Sequence, residues 1–455
     1  LDQVTFGSLS PNTSYARLPD GNGFWQVCTA PTPGSSNDGG PGGVIIAEIM
    51  YHPYHRPFAP EDTRREWIEL LNRGSTSVHL AGWRFVDGVE FVFPDVAIGA
   101  GERLVVAADV DVFRSLHPDV PNVVGGWTGW LSNSGETLTL VNAVGAVVDS
   151  IRYADEGDWS VRELGPLDFS HRGWRWTNDH DGGGKSLELV NAVLPGRFGQ
   201  NWAASLTDGG TPGRANSVAS DDIAPLILKV RHSPVIPGPA EVVTVTARIL
   251  DERATGVTAT LRYRLDASRY TDQMLYPRHD PASYAGLTMY DDGSHGDGAA
   301  GDGVFGALIP AQADGQIVEF YVEVRDAQGN VRTWPAPSLV DGAVEQVTNA
   351  LYQVLGSFDS KAPWSAGSQP IYFLIMTEAE RARLVDIGNG TGGPGPENDR
   401  DSNAQMNGTF ISVDGTGVEL RYRVGIRNRG KGSRDTAGGR YRNNYRVNFP
   451  TDARW

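Results

Sequence analysis

The sequence predicts a mainly β chain, built as tandem β-sandwiches that lead into an α+β segment. Three observations carry that expectation. Short apolar or alternating runs recur at close spacing over most of the 455 residues. Glycine and proline, 56 and 28 residues, fall largely between those runs, where they mark turns. Only two short stretches, 109–116 and 378–385, read as helix.

The elements follow in order. Gly43–Met50 and Glu66–Asn72 are apolar, β-rich runs, and Trp83–Val86, Glu90–Phe93 and Arg103–Ala107 continue the series. Thr137–Val141 and Ala146–Ile151 flank Asn142-Ala143-Val144-Gly145, a hairpin turn signal. Further on, Glu241–Leu250, Ala259–Leu265 and Ile317–Val324 alternate apolar and polar residues as half-buried strands do. Near the end, Ile371–Met376 reads as a strand and Glu378–Val385 as a short helix. A Gly/Pro/Asn/Asp-rich loop over 387–405 precedes strands at Thr409–Val413, Val418–Asn428 and Tyr445–Phe449.

A partial repeat sets the organisation. Trp25 is followed by Thr32-Pro33-Gly34-Ser35-Ser36-Asn37, and Trp202 by Thr211-Pro212-Gly213-Arg214-Ala215-Asn216. Proline fixes φ and glycine permits a left-handed turn, so Thr-Pro-Gly punctuates an exit from a module. Residues 1–37 therefore read as the last strands of one module, and 43–217 as a complete second copy. The chain opens at Leu1 without Met or a signal segment and stops at Trp455, so both ends read as cut.

Within 43–217, three stretches resemble the lamin-tail domain: Ile46-Ala47-Glu48-Ile49-Met50-Tyr51-His52-Pro53, Glu66-Trp67-Ile68-Glu69-Leu70-Leu71-Asn72 and Leu80-Ala81-Gly82-Trp83. Ser134–Leu140 and the Thr-Pro-Gly exit fit the same pattern. The resemblance implies an immunoglobulin-like sandwich of the kind found in nuclear lamins and secreted bacterial proteins. About 155–184, with Trp174-Arg175-Trp176, stands outside that core pattern. A second sandwich is expected over 222–345, because Phe320-Tyr321-Val322-Glu323-Val324-Arg325-Asp326-Ala327-Gln328-Gly329-Asn330 resembles the closing hairpin of bacterial immunoglobulin- or fibronectin-like modules.

In 364–455, Tyr422–Arg434 and Asn443-Asn444-Tyr445-Arg446-Val447-Asn448-Phe449-Pro450 resemble the opening of a spore-coat CotH kinase domain. The fold class expected is thus tandem immunoglobulin-like β-sandwiches followed by a truncated α+β kinase-like segment. Such an order of modules recurs in large secreted bacterial proteins, which implies an exported, extracellular or cell-surface location.

Composition excludes several alternatives. Lys and Arg number 39 against 55 Asp and Glu, a net charge of −16, which repels nucleic-acid phosphates. Only Lys185, Lys229, Lys361 and Lys431 are lysines. Cys28 stands alone, so no intramolecular disulfide and no cysteine-built zinc site is expected. No run of about 18 apolar residues reads as a membrane span.

Two clusters carry the chemical expectations. Asp291, Asp292, Asp297 and Asp302 lie among glycines in Asp291-Asp292-Gly293-Ser294-His295-Gly296-Asp297 and Gly301-Asp302-Gly303, where carboxylates in a tight loop can wrap a calcium ion. The alternative is a solvated Asp-Gly hairpin loop. Arg427, Arg429, Lys431, Arg434, Arg440, Arg442 and Arg446 form one basic cluster in an acidic chain. Guanidinium groups in such numbers suit a phosphate or an acidic partner surface, and the alternative is a solvated basic face on strands and turns. By the CotH resemblance, Arg429, Lys431, Arg434 and Arg442 belong to a nucleotide site. ATP and Mg²⁺ follow only if the complete kinase domain is present, because the family's catalytic aspartates lie beyond Trp455 and phosphoryl transfer needs them.

Other motifs carry less. Asn178-Asp179-His180-Asp181-Gly182 reads as a polar turn, and Pro53 in His52-Pro53-Tyr54-His55 argues against a helical zinc pair. Gly388-Asn389-Gly390-Thr391-Gly392-Gly393 has the spacing of a phosphate loop but lacks the following helix. Trp127 with Trp130, and Trp174 with Trp176, are candidate sugar platforms. The function expected is a secreted structural or adhesive multidomain protein whose sandwiches anchor or assemble a CotH-like domain, with extracellular partners and self-assembly. The alternatives are a secreted CotH-type kinase with these modules as targeting arms, and a carbohydrate-binding array.

Overall fold

The computed structural model describes residues 9, 13–18, 24–28, 43–55, 59–253, 255–269, 278–359, 364–365, 367–389, 401–429 and 444–453. The fold is mainly β. Contacts gather the chain into two units, 1–160 with 178–222 and 161–177 with 223–455. No helix among the described residues is long and apolar enough to cross a membrane.

The first unit packs two sheets. Six strands form one, in the order Val123–Gly125, Arg103–Ala107, Trp67–Asn72, Val44–Met50, Leu187–Leu189 and Trp202–Ala204. Pairing is antiparallel except between Val123–Gly125 and Arg103–Ala107. Val147–Arg152, Thr137–Val141, Arg84–Asp87 and Phe91–Val92 form the other. Ile46, Ile49, Ile68, Leu70, Phe85, Leu138, Leu140, Ile151 and Leu187 are buried in one core. The strand Val44–Met50 is buried along its whole length, which is why its sequence runs apolar instead of alternating. The expected turn closes as read: Asn142 Oδ1 accepts from the N–H groups of Val144 (3.1 Å) and Ala146 (2.9 Å), and Gly145 sits at φ +85°. Asp109 caps the helix Val110–Leu116 by accepting from the N–H groups of Asp111 and Val112.

Residues 14–18 and 24–28 pair as a separate two-stranded ribbon. The Thr32–Asn37 motif lies outside the described residues.

The second unit holds a sandwich and a meander. Leu226–Ser233, Val243–Leu250 and Val304–Ile309 face Ala285–Met289, Thr258–Leu265, Ile317–Arg325 and Val331–Trp334, with Ala350–Gln353 also paired to Ile317–Arg325. Val245, Ile249, Leu261, Ile309, Phe320, Val322 and Tyr352 lie in their shared core. Ile371–Ile375, Met406–Asp414, Gly417–Asn428 and Tyr445–Asn448 then form an antiparallel meander. The helix Glu378–Asn389 packs on it through Leu384 and Ile387, so this part is α+β. The helix runs four residues beyond the Val385 expected, because Ile387 is still a buried contact.

Residues 161–177, outside the core pattern in the sequence, form a hairpin of Val161–Leu164 and Trp174–Thr177. It joins the second unit by parallel pairing of Arg162 with Ser338 and Glu163 with Leu339. Leu164, Trp174 and Val340 share a small buried cluster.

Candidate functional site

The acidic loop connects strands of two different sheets, and reciprocal bonds between Tyr290 and Gly306 (2.9 and 2.8 Å) close its base as an antiparallel pair. Ala285–Met289 belongs to one sheet of the second unit's sandwich and Val304–Ile309 to the other. The sequence reading passed over both strands, so the connection looked local. Each of the four aspartates caps the crossover. Asp297, 2 % exposed, accepts from the N–H groups of Asp292 (2.7 Å), Gly293 (2.8 Å) and His295 (2.9 Å). Asp291 accepts from Gly301 (2.8 Å), Asp302 (3.2 Å) and Gly303 (3.0 Å). Asp302 accepts from Ala299 and Val304, and Asp292 from Ser294 N and His295 Nδ1. Desolvation pushes the Asp297 carboxyl up, but the N–H groups of Gly293, His295 and Asp292 outweigh it and hold the group below the usual range. Among the described residues no group of three or more His, Cys, Asp or Glu is arranged to hold a metal ion.

Of the basic cluster, Lys431, Arg434, Arg440 and Arg442 lie outside the described residues. Arg427 and Arg446 stand opposite each other on adjacent strands. Arg427 donates to Asn403 Oδ1 at 2.7 Å, and the exposed Arg429 is tied by its backbone N–H to Asn444 O at 2.7 Å. Gly388 and Asn389 end the helix, and the rest of that glycine-rich motif lies outside the described residues.

The most heavily built polar site was not singled out in the sequence. Three neighbouring strands of the first unit each contribute one glutamate at matched register, Glu188 opposite Glu48 and Glu48 opposite Glu69. All three are fully buried. Like charges directly opposite one another destabilise a sheet, so the row needs partners. The segment 207–218 supplies them. Thr211 donates its N–H to Glu48 Oε1 (2.7 Å) and its hydroxyl to Glu188 Oε1 (2.7 Å). Gly213, at φ +75°, donates its N–H to Glu69. Ser217 Oγ and Val218 N donate to Glu188 Oε2 at 2.8 and 3.0 Å. Asn216 Nδ2 reaches the carbonyls of Ala47 (2.8 Å) and Leu189 (2.9 Å). The Thr-Pro-Gly-x-x-Asn motif is therefore more than an exit: it is a strap whose donors hydrogen-bond the buried carboxyl oxygens of the row.

Burial still dominates the row's charge. Desolvation pushes Glu48 up to about 7 and Glu69 up to about 9; repulsion from Glu188 adds to both, and repulsion from Glu48 adds to Glu69. Arg103 Nε lies 3.1 Å from Glu69 Oε1 but is too poorly aligned to donate, so its charge offsets only part of that effect.

Residues 38–155 match the family model of the lamin tail domain. That stretch of the first unit is thus similar to the lamin tail domain. The match stops at 155, whereas the strands Leu187–Leu189 and Trp202–Ala204, with the strap, complete the six-stranded sheet. Residues 240–334 match the conditioned medium factor 2nd Ig-like domain. No curated protein matches the chain.

Two motifs read separately in the sequence meet in the lamin-tail domain. His52 Nδ1 hydrogen-bonds Asp181, and Gly182 N donates to His52 O at 3.1 Å. Tyr51 OH lies 2.8 Å from His180 Nδ1, whose Nε2 is 2.9 Å from Trp159 O. Burial pulls His180 down to about 4, so it is neutral at physiological pH. The cluster closes one end of the sandwich around Tyr51 and Tyr153, whose rings are 4.8 Å apart. A separation of 129 residues hid it from sequence reading.

The tryptophan pairs are not paired platforms. Trp127 and Trp174 are buried, 8 % and 2 % exposed. Trp176 is contacted by the guanidinium groups of Arg162 and Arg423, at 4.8 and 4.7 Å from its ring centre. Trp130 is exposed. A cleft of about 330 Å³ in the lamin-tail domain brings other rings together, with Tyr54, Trp67 and His117 beside Arg65 and Asp208.

Proposed function

We propose that the chain is an extracellular structural or adhesive module array of bacterial origin, whose sandwiches anchor or assemble a CotH-like domain. The observation that carries this reading is two immunoglobulin-like modules in series, each with its own core. Modules of that kind serve as spacers and contact surfaces, and their strand edges support lateral association. Electron microscopy of the native source tests it: arrays or filaments are expected, and isolated particles alone would overturn assembly.

Activity of the CotH-like domain is tested on the full-length gene product with labelled ATP and Mg²⁺. Absence of incorporation favours the scaffold reading; incorporation favours the secreted kinase. The basic residues Arg429, Lys431, Arg434 and Arg442 would then contribute to holding nucleotide phosphates.

Calcium at Asp291, Asp292, Asp297 and Asp302 belongs to the same proposal, because ions at turns stiffen extracellular modules. A melting scan in calcium and in chelator checks it, and an unchanged transition would count against the ion. Carbohydrate binding is favoured by the cleft, where exposed Tyr54 stands with Arg65 and Asp208. An aromatic face with planar charged groups suits sugar C–H and hydroxyl groups. A glycan array on the wild-type chain and Tyr54→Ala tests that reading.

A further inference from the structure

One end of the first unit's core carries an acid. Glu66 has extended backbone and immediately precedes the strand Trp67–Asn72. Side chains alternate along such a run, so Glu66 shares the inward face of Ile68 and Leu70, which lie in the core. It is 1 % exposed. A carboxylate in that position is costly unless it is paired or bound to a metal.

The stretch 61–66 meets 131–136, which leads into Thr137–Val141. Leu131 N donates to Glu66 Oε2 at 2.8 Å, and Asn133 Nδ2 donates to Glu61 Oε2 at 2.8 Å. The two donors stand two residues apart, so both carboxylates are drawn to the same short piece of chain. Those bonds use one oxygen of each carboxylate and the amide nitrogen. Glu66 Oε1, Glu61 Oε1 and Asn133 Oδ1 are left, each buried and each without a hydrogen-bond partner among the described residues. One orphan acceptor is accounted for by a water, but three on adjoining residues, two of them on carboxylates, need a positive charge.

Neighbouring side chains do not provide it. The charged groups that bear on Glu66 are Glu61 and Glu136, both acidic, and each pushes its carboxyl up. Glu136 Oε1 is engaged by neutral groups, Ser132 N at 2.7 Å and Tyr153 OH at 3.1 Å. The leftover atoms are all hard oxygens, with no nitrogen or sulfur among them, which suits calcium better than zinc. Two carboxylates balance its charge. Calcium takes about 6–8 oxygens, so both oxygens of a carboxylate and water complete the shell.

We propose that Glu61, Glu66 and Asn133 form a calcium site at the end of the first unit's sandwich. Only two of its ligands are acids and the third is an amide. It is separate from the acidic loop, which belongs to the second unit.

Hydrogen exchange of the full chain in calcium chloride and in chelator tests the site. Calcium should slow exchange about tenfold or more over 61–66 and 131–136. Glu66→Gln keeps the size of the side chain and an acceptor for Leu131 N while removing the charge. The calcium concentration that protects 131–136 should then rise about tenfold or more. In chelator the melting midpoint of this variant should hold or rise, because a repelled buried charge has gone. Glu61→Gln, at a half-buried residue, is a second variant and should weaken calcium to a similar extent. Protection confined to 291–303, an unchanged calcium titration in both variants, or a midpoint lowered equally by Glu66→Gln in calcium and in chelator would each overturn it.

Discussion

At the residue scale, the row of glutamates sets the pH dependence of the lamin-tail domain. Glu48 and Glu69 titrate near 7 and 9 in the folded state, above the ordinary value of 4.5, because burial disfavours their charge. Glu66 shifts the same way, to about 8, and for the same reason. A carboxyl raised on folding contributes stability that is complete below its ordinary value and lost as pH rises through the folded one. The melting temperature of the first unit should therefore fall between pH 5 and pH 9. The shift of Glu48 alone corresponds to about 3 kcal/mol, roughly 6–12 °C for a domain of this size. Calorimetry across that range checks it, and Glu48→Gln with Glu69→Gln should flatten the slope. The acidic loop of the second unit runs the other way. Asp297 is held below its ordinary value, so its contribution is present at neutral pH and lost as pH falls through the lowered folded value. Asp297→Ala should lower the second unit's melting temperature at pH 7 and have less effect near pH 3.

At the element scale, the strap and the 161–177 hairpin do work that their local sequence does not advertise. Thr211→Val keeps the shape but removes the hydroxyl shared between Glu48 and Glu188. It should cost about 1–3 kcal/mol, and hydrogen exchange should rise first over 207–218. The hairpin lies inside the chain segment of the lamin-tail domain but serves the second unit. Trp174, 2 % exposed, donates from Nε1 to Glu380 Oε1 at 2.8 Å. Trp174→Phe leaves that buried carboxylate short of a donor. It should destabilise the second unit by about 1–3 kcal/mol and leave the first unit's transition unchanged in a two-transition melt.

At the scale of the whole molecule, strands were legible where one short run decides its own burial. Arg103–Ala107 and Thr137–Val141 coincide with their sequence readings because each is a single apolar stretch bounded by polar turns. Leu187–Leu189 and Trp202–Ala204 were missed: three residues carry too little period, and the first pairs with Val44–Met50, far earlier in the chain, while the second pairs only with the first. The acidic loop illustrates the same limit. Its glycines announced a tight turn, but whether that turn joins partners in one sheet or crosses between two depends on pairings made elsewhere. Glu48 and Glu69 were visible as acids inside apolar runs, which is an unusual place for a charge, but nothing local says that they are neighbours.

By itself, then, the sequence determined the mainly β class, the turn chemistry at Asn142–Gly145 and the Thr-Pro-Gly motif. Each depends on backbone geometry and burial within a few residues. Tertiary structure alone decided what covers what. It placed three glutamates in one row under a strap and joined His52 to Asp181. It gave residues 161–177 to the second unit. Those arrangements arise from pairing registers and desolvation across long stretches of chain, and such energies exist only once the sheets have formed.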